Sequence, residues 1–206
     1  MDVGANEGNR IIPLLNLGAR VIAIEPQKEC VKILKWKFKN TIKIEPIGLA
    51  SILGEMKMFI SESSTLSTFS KEWKENVEVG RFKTVAWKKS ALVPISTLDL
   101  LIKKYGKPVF IKIDVEGFEL DVLKGLNEKI PMISFEYAVP EQIENLILCI
   151  QRLELINKNV SFNYCIGEEP RFELSNWYIA DDMVNLLKSQ EFINTSFGDI
   201  YARMTI

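Results

Sequence analysis

The sequence predicts an α/β fold, in which a mostly parallel sheet carries helices on both faces. Short β-branched runs such as "ARVIAIEP" and "PVFIKID" alternate along the chain with segments of helical period. Strands that alternate with helices form parallel sheets covered on both sides. The 206 residues, 47% of them hydrophobic, are enough for one domain that buries its own core.

The first elements are a strand, a helix and a second strand. Asp2 and Val3 form the end of a strand, and "NRIIPLLNLG" predicts a helix that stops at Gly18. The run "ARVIAIEP" that follows is typical of a buried strand.

The next helix, "KECVKILKWKFKN", has an apolar side and a lysine stripe. The inner side is predicted to hold Cys30, Val31, Leu34 and Phe38, and the stripe consists of Lys28, Lys32, Lys35 and Lys39. Such a stripe could contact phosphates, but a solvated helix face is the simpler interpretation.

The middle of the chain is expected to be less regular. "IKIEPIGLAS" predicts a third strand, and "EMKMFIS" is expected to be its hairpin partner, with the turn at Gly54. Residues 61–92 are polar and rich in serine, threonine and lysine, so we expect an elaborated loop or lid that contains one short helix.

Regular elements return after this loop. A capped helix is predicted from Ser96 or Thr97, then a strand that ends on Asp114, then a helix in "VEGFELDVLKGL". "PMISFEYAV" predicts a fifth strand, and Pro140 is expected to start the next helix. A strand in "VSFNYCI", a helix near "ADDMVNLLKSQ" and a strand in "DIYARM" complete the chain, so we expect a single domain over residues 1–206.

Charge and cysteine content limit the classes of function. A net charge of −1 provides no general attraction for nucleic acid. Three widely spaced cysteines (Cys30, Cys149 and Cys165) and the lack of any histidine predict no structural zinc site and a reducing, cytoplasmic environment. No apolar run is long enough to span a bilayer, so no membrane partner is expected.

The turn "DVGANEG", residues 2–8, lies between the first strand and the first helix. In open α/β sheets this point borders the crevice in which ligands bind. Glycines at positions 4 and 8 allow positive φ angles and a close approach of a ligand to the backbone. A tight turn without any ligand is the alternative.

Glu25 ends the second strand, where an acid can accept hydrogen bonds from both hydroxyls of a ribose. An adenosine-containing cofactor is therefore expected. The chain lacks the G-x-G-x-x-G turn of dinucleotide binders and the G-x-x-x-x-G-K-[ST] phosphate loop. The shorter turn fits S-adenosylmethionine (SAM), whose methionine end carries a carboxylate and an ammonium group.

The ordered set "DVGANEGN", "IEPQ", "GLAS", "STLDLLI", "IKIDVEGFELDVLKG" and "FEY" resembles the FkbM-type family of SAM-dependent methyltransferases. The resemblance implies a seven-stranded sheet of order 3-2-1-4-5-7-6 whose last strand is antiparallel. It also implies a cofactor site at the glycine turn and the end of the second strand, made by Asp2, Gly4, Asn6, Gly8, Glu25 and Pro26. Unlike the family pattern, the first strand is expected to be truncated before Asp2.

Asp114 and Glu116 are the predicted catalytic residues. Methyl transfer to a neutral hydroxyl needs a general base, and without histidine the candidates are carboxylates, a lysine or a tyrosine. Asp114 ends the fourth strand beside the expected site of transfer, and Glu116 follows it in the turn. Both could instead have structural roles at the start of the next helix, as could Glu119, or the pair could hold a divalent cation. Glu136, which ends the fifth strand, is expected on the substrate side.

The resemblance implies SAM-dependent O-methylation of a hydroxyl on a small molecule or carbohydrate. Two alternatives remain: a methyltransferase acting on nucleic acid or protein, and a SAM-binding or interaction domain without turnover. The absence of N-P-P-Y at the fourth strand, where "DVEG" stands, argues against methylation of base amines.

Overall fold

The protein is described by a computed structural model that covers residues 1–205. These residues form ten strands: β1 (Asp2–Val3), β2 (Ile22–Ile24), β3 (Lys43–Glu45), β4 (Gly48–Leu49), β5 (Gly54–Ile60), β6 (Lys89–Ser96), β7 (Phe110–Ile113), β8 (Met132–Ala138), β9 (Ser161–Ile166) and β10 (Phe197–Arg203). They also form eight α-helices: α1 (Ile11–Asn16), α2 (Lys28–Phe38), α3 (Lys71–Val79), α4 (Leu98–Tyr105), α5 (Glu119–Lys124), α6 (Ile143–Ile156), α7 (Ala180–Leu187) and α8 (Gln190–Ile193).

The larger sheet has seven strands in the order β3-β2-β1-β7-β8-β10-β9. Counted along this sheet alone, the order is 3-2-1-4-5-7-6, which confirms the prediction. Strand β10 runs antiparallel to β8 and β9, and the other neighbours are parallel. The reversal of strand order beside β1 opens a crevice at the carboxyl ends of β1 and β7.

Strand β1 is central but contains only two paired residues. Asp2 is paired with Ala23 and Lys112, and Val3 with Ile24 and Ile113. The first strand is therefore short, with two paired positions among the described residues. Both residues are nonetheless buried, because strands lie on either side of them.

Apolar side chains cover both faces of the sheet. One face holds the main core, in which residues such as Ile113 and Phe135 pack with α4, α5, α6 and α7. A smaller cluster under α1 and α2 includes Ile11, Ala23 and Leu34. The predicted inner side of α2 is confirmed, since Cys30, Val31, Leu34 and Phe38 are all buried.

A second sheet of three strands, in the order β4-β6-β5, corrects the expected hairpin. Strands β4 and β5 do not pair with each other across Gly54, because β6 lies between them, parallel to β4 and antiparallel to β5. Strand β6 was not predicted from the sequence, because it contains Pro94 and proline is disfavoured within strands. Its alternation is nevertheless present, since Val93 and Ile95 are buried.

The segment predicted as a loop or lid contains a 3₁₀ helix over Ser64–Leu66 and the helix α3, and its last residues belong to β6. The helix expected from Pro140 begins three residues later, because residues 139–142 form a turn. Within the described range, no helix is both long and apolar enough to cross a bilayer.

Candidate functional site

An open cleft of about 830 Å³ lies at the carboxyl ends of β1, β2, β7 and β8. In open α/β sheets, ligands bind at this edge, beyond the carboxyl ends of the strands. One side carries apolar residues, of which Leu49, Met58 and Phe69 are buried, and the other carries carboxylates. An adjoining lobe shares Gly4, Asn6 and Asp114 with the cleft and extends to Asp2, Arg10 and Lys112.

Gly4 is required by the approach of two neighbouring strands. Its φ angle is +79°, and a Cβ atom there would lie 1.8 Å from the carbonyl oxygen of Asp114. Gly8 is required for a different reason, since a Cβ atom there would meet Phe38 and Leu34 of α2. Gly4 therefore borders the cleft, whereas Gly8 supports the turn from behind.

Glu25 binds backbone amides of two segments, the glycine turn after β1 and the start of α2. Its Oε2 accepts a hydrogen bond from the amide of Asn6 at 2.8 Å, and its Oε1 accepts one from the amide of Gln27 at 2.7 Å. Burial raises the pKa of Glu25, while the two amides lower it. Each carboxylate oxygen can accept a second hydrogen bond, so Glu25 can hold the turn and still receive a ligand hydroxyl.

Asp2 is a buried carboxylate without a partner. It is 1% exposed, and neither oxygen has a hydrogen-bond donor among residues 1–205. Burial raises its pKa, although the nearby Lys112 lowers it. An unpaired buried carboxylate is costly, so it favours a ligand with a cationic or hydrogen-donating group. The ammonium of SAM is such a group, and in this respect the residues fit that cofactor.

The loop over residues 61–70, here called the serine loop, closes one side of the cleft. Ser64 Oγ and the side-chain amide of Asn6 are 3.3 Å apart. Gln27 Nε2 donates to the carbonyl of Ser64 at 2.9 Å, and Ser67 Oγ donates to Gln27 Oε1 at 2.9 Å. The serine loop is thus fastened to the same two segments that Glu25 holds.

Three carboxylates meet at the far end of the cleft. One oxygen from each of Asp114, Glu116 and Glu136 lies within 4.8 Å of the others. Burial, followed by the charge of Asp114, raises the pKa values of Glu116 and Glu136 well above their usual range. Carboxylates at this spacing can accept hydroxyl hydrogens, share protons or bind a hard cation. The predicted catalytic and substrate residues are therefore brought together.

The turn after β7 sets the position of Glu116. This residue has a φ angle of +53°, which is uncommon for a residue with a side chain. Thr68 Oγ1 donates to its carbonyl oxygen at 2.7 Å. Glu119 is buried behind the turn and accepts from the amides of Val115 and Gly117, so it has a structural role.

Lys112 is the cation of this acidic region. Its Nζ lies 2.6 Å from Asp114 Oδ2, and its side chain is 9% exposed. Burial alone would lower the pKa of Lys112, but the charges of Asp114 and Asp2 raise it above its ordinary value. Lys112 is not among the residues predicted from the sequence, although its spacing of two from Asp114 places both side chains on one side of an extended segment.

Gln27, which packs against the serine loop, and the apolar wall of the cleft were likewise not predicted. Gln27 follows Glu25 and Pro26 directly in "IEPQ", so its position near the cofactor site could have been predicted from this motif. The wall was not, because Leu49, Met58 and Phe69 come from β4, β5 and the serine loop, whose pairing depends on β6.

Comparison with solved structures supports this fold. The structure is similar to that of methyltransferase FkbM from Methylobacillus flagellatus KT, with a TM-score of 0.58 and 16% sequence identity over 98% of this chain. The match covers 42% of that chain, so the present chain spans less than half of its length. A precorrin-6y C5,15-methyltransferase from Geobacter metallireducens GS-15 matches with a TM-score of 0.48 and 9% identity, over 99% of this chain and 78% of that one.

The sequence comparisons give a narrower result. No curated protein matches the chain significantly. The family model described as the methyltransferase FkbM domain matches residues 2–193, which is most of the chain. The chain therefore belongs to the FkbM methyltransferase family.

Proposed function

We propose that this chain is a SAM-dependent methyltransferase whose acceptor atom is a hydroxyl oxygen of a small molecule or carbohydrate. The observation that carries the proposal is the buried, unpaired carboxylate of Asp2 beside the glycine turn, in one continuous cleft with Glu25 and Asp114. Family membership and the sheet order support the same reaction class.

Each end of the cofactor has candidate partners. Asp2 would accept from the ammonium, and Glu25 from the ribose hydroxyls. Ile47, Leu49, Met58 and Phe69 offer an apolar wall for the adenine base. When bound, SAM supplies a methyl group activated by a positively charged sulfur.

Asp114 is the residue that we assign as general base. Lys112 occupies its Oδ2, and its Oδ1 has no hydrogen bond from the described part of the chain. Oδ1 can therefore accept the proton of an acceptor hydroxyl. Glu116 and Glu136, at their raised pKa values, would hold the other polar groups of the acceptor.

We further propose one domain with the serine loop and α3 as a lid, and a cytoplasmic location. Asn6 and Gln27 hold the loop over the cleft, which supports a lid. The three cysteines are all unpaired and buried, as expected in a reducing compartment.

Calorimetric and thermal titration with S-adenosylhomocysteine tests the cofactor assignment. A ligand that binds only the folded state raises the melting temperature by mass action. We expect micromolar binding, with no competition from NADH because the dinucleotide turn is missing. Binding without transfer to any acceptor in a screen of sugars, polyketides and nucleic acids would favour the binding-domain alternative. No binding at all would reject the SAM proposal.

A further inference from the structure

The outward face of α2 combines positive charge with an exposed tryptophan. We call the surface made by Lys28, Lys32, Lys35, Trp36 and Lys39 the α2 outer face; all five side chains are exposed. The opposite side of the helix is buried against the sheet through residues such as Leu34. Burial of the apolar side explains the helix but not the tryptophan.

Trp36 is 77% exposed and lies on the opposite side of the helix from the buried Leu34 and Phe38. In contrast, Trp73 is 4% exposed in the core. A tryptophan has a large apolar body and a polar N–H, so it is favoured at boundaries between water and an apolar phase. Its position in the middle of the lysines places an apolar anchor inside a cationic field.

The charge on this helix is not balanced locally. Residues 28–39 contain five lysines and one glutamate, a net charge of +4, whereas the whole chain carries −1. Lys32 pairs with Glu29, and Lys37 with Glu7. Within residues 1–205, Lys28, Lys35 and Lys39 have no carboxylate at ion-pair distance. The α2 outer face is therefore a positive patch on a slightly acidic protein.

Among anionic partners, a lipid surface fits the shape and composition of this face better than nucleic acid. The face is a single convex helix of eleven residues, about 16 Å long, without the groove that tracks a nucleic-acid backbone. It also lacks arginine, the residue preferred for bidentate contacts to phosphate and bases. Lysines act as point charges, which suffices for headgroups at the cytoplasmic surface of a membrane.

We propose that the α2 outer face is a docking surface for an anionic lipid bilayer, with the lysines held at the headgroups and Trp36 inserted at the interface. The sequence alone predicts no membrane partner. The exposure of Trp36 among the lysines leads us instead to propose docking on a membrane surface. Docking does not depend on the proposed reaction, because α2 lies beside the cleft rather than in its acidic end.

Co-sedimentation with vesicles tests the proposal, using phosphatidylcholine alone and phosphatidylcholine with about 30% phosphatidylserine. We expect binding only to the anionic vesicles, weakened by salt, since each lysine near the surface contributes roughly a fivefold change in partition. The triple variant Lys28→Gln, Lys35→Gln, Lys39→Gln should bind at least tenfold more weakly. Trp36→Ser should also weaken binding, while Trp36→Phe retains most of it.

A matched triple variant controls for total charge. Lys83, Lys129 and Lys188 are exposed in turns and loops away from α2 and make no ion pair in the described chain, so their change to glutamine should leave vesicle binding intact. Equal losses in both triple variants would indicate a general charge effect and overturn the proposal. So would binding of a DNA strand of about 20 nucleotides through the same lysines without vesicle binding. Absence of binding to either vesicle would also overturn it and leave a solvated helix face.

Discussion

The ammonium of Lys112 lies 2.6 Å from Oδ2 of Asp114 and faces Asp2 on the neighbouring strand. One buried cation therefore donates to one carboxylate, Asp114, and lies beside a second, Asp2, to which we assign a different role. Asp2 would hold the cofactor ammonium, and Asp114 would take the acceptor proton. Because the pair register of β1 and β7 fixes this geometry, a change at Lys112 should be detected at the cofactor site.

We expect Lys112→Met to make S-adenosylhomocysteine binding more sensitive to acid. Burial raises the pKa of Asp2 and Lys112 lowers it, so removal of the ammonium lets Asp2 take a proton at a higher pH. The ratio of Kd at pH 6 to Kd at pH 8, measured by calorimetry, should rise at least threefold. Lys112→Arg should keep the wild-type ratio. An unchanged ratio in Lys112→Met would separate Asp2 from the cofactor.

Glu25→Ala should weaken S-adenosylhomocysteine binding by about 1–3 kcal/mol, because the ligand loses charge-assisted hydrogen bonds and the amides of Asn6 and Gln27 lose their acceptor. Isothermal titration measures the change. Glu29→Gln is the matched control, since Glu29 is exposed on the same segment. Equal affinities for Glu25→Ala and the wild type would place the ribose elsewhere.

The sequence predicted the frame of this site because parallel strands bring their carboxyl ends to one edge. The positions of Glu25 and Asp114 follow from strand ends, since each comes directly after the last residue of its strand. Asp2 instead lies within β1, and Glu136, expected to end its strand, lies two residues before the end of β8. The small sheet was mispredicted, because β6 pairs with residues 29 to 47 positions away and contains a proline. The contact of Thr68 with Glu116 depends on the path of an irregular loop, and no periodic pattern in the local sequence predicts that path.

Gly117→Ala should destabilise the protein more than Gly106→Ala. Both glycines have positive φ angles, so each substitution carries a backbone cost of about 1–2 kcal/mol. At Gly117 the new Cβ would also lie 2.5 Å from the Trp73 ring, whereas nothing lies within 4 Å at Gly106. We expect an additional loss of about 1–3 kcal/mol at Gly117, measured by urea unfolding. Equal losses would show that α3 does not pack on this turn.

Glu119→Gln should flatten the pH dependence of stability. Burial raises the pKa of Glu119 to about 7, above its unfolded value of 4.5. The wild-type protein should therefore lose stability as pH rises from 4.5 through 7, where the buried group must ionise. Glutamine does not ionise and can still accept from the amides of Val115 and Gly117. Unfolding free energies at pH 5 and pH 8 should differ less in the variant; an equal difference would contradict the assignment.

Asp114→Asn is the most direct test of the chemistry. Asparagine keeps the size of the side chain, and its oxygen can accept from Lys112, but its amide group would then donate toward the place where a proton must be accepted. The methyl-transfer rate with a screened acceptor should fall by roughly 10²- to 10⁴-fold. The affinity for S-adenosylhomocysteine and the unfolding free energy should change little. Asp181→Asn, an exposed change at the start of α7, should leave the rate unaltered.

The same kinetics with and without a chelator decide between a base and a metal ligand. Since Glu136 joins Asp114 and Glu116 within 4.8 Å, three carboxylates are available to a divalent cation. If Asp114 is the base, chelation leaves the wild-type rate intact. The rate of the asparagine variant then rises with pH only where hydroxide takes the place of the missing base. Loss of the wild-type rate on chelation would make Asp114 a ligand instead. A wild-type rate for Asp114→Asn would remove Asp114 from catalysis and leave it only the structural role of accepting from Lys112, which asparagine can also fill.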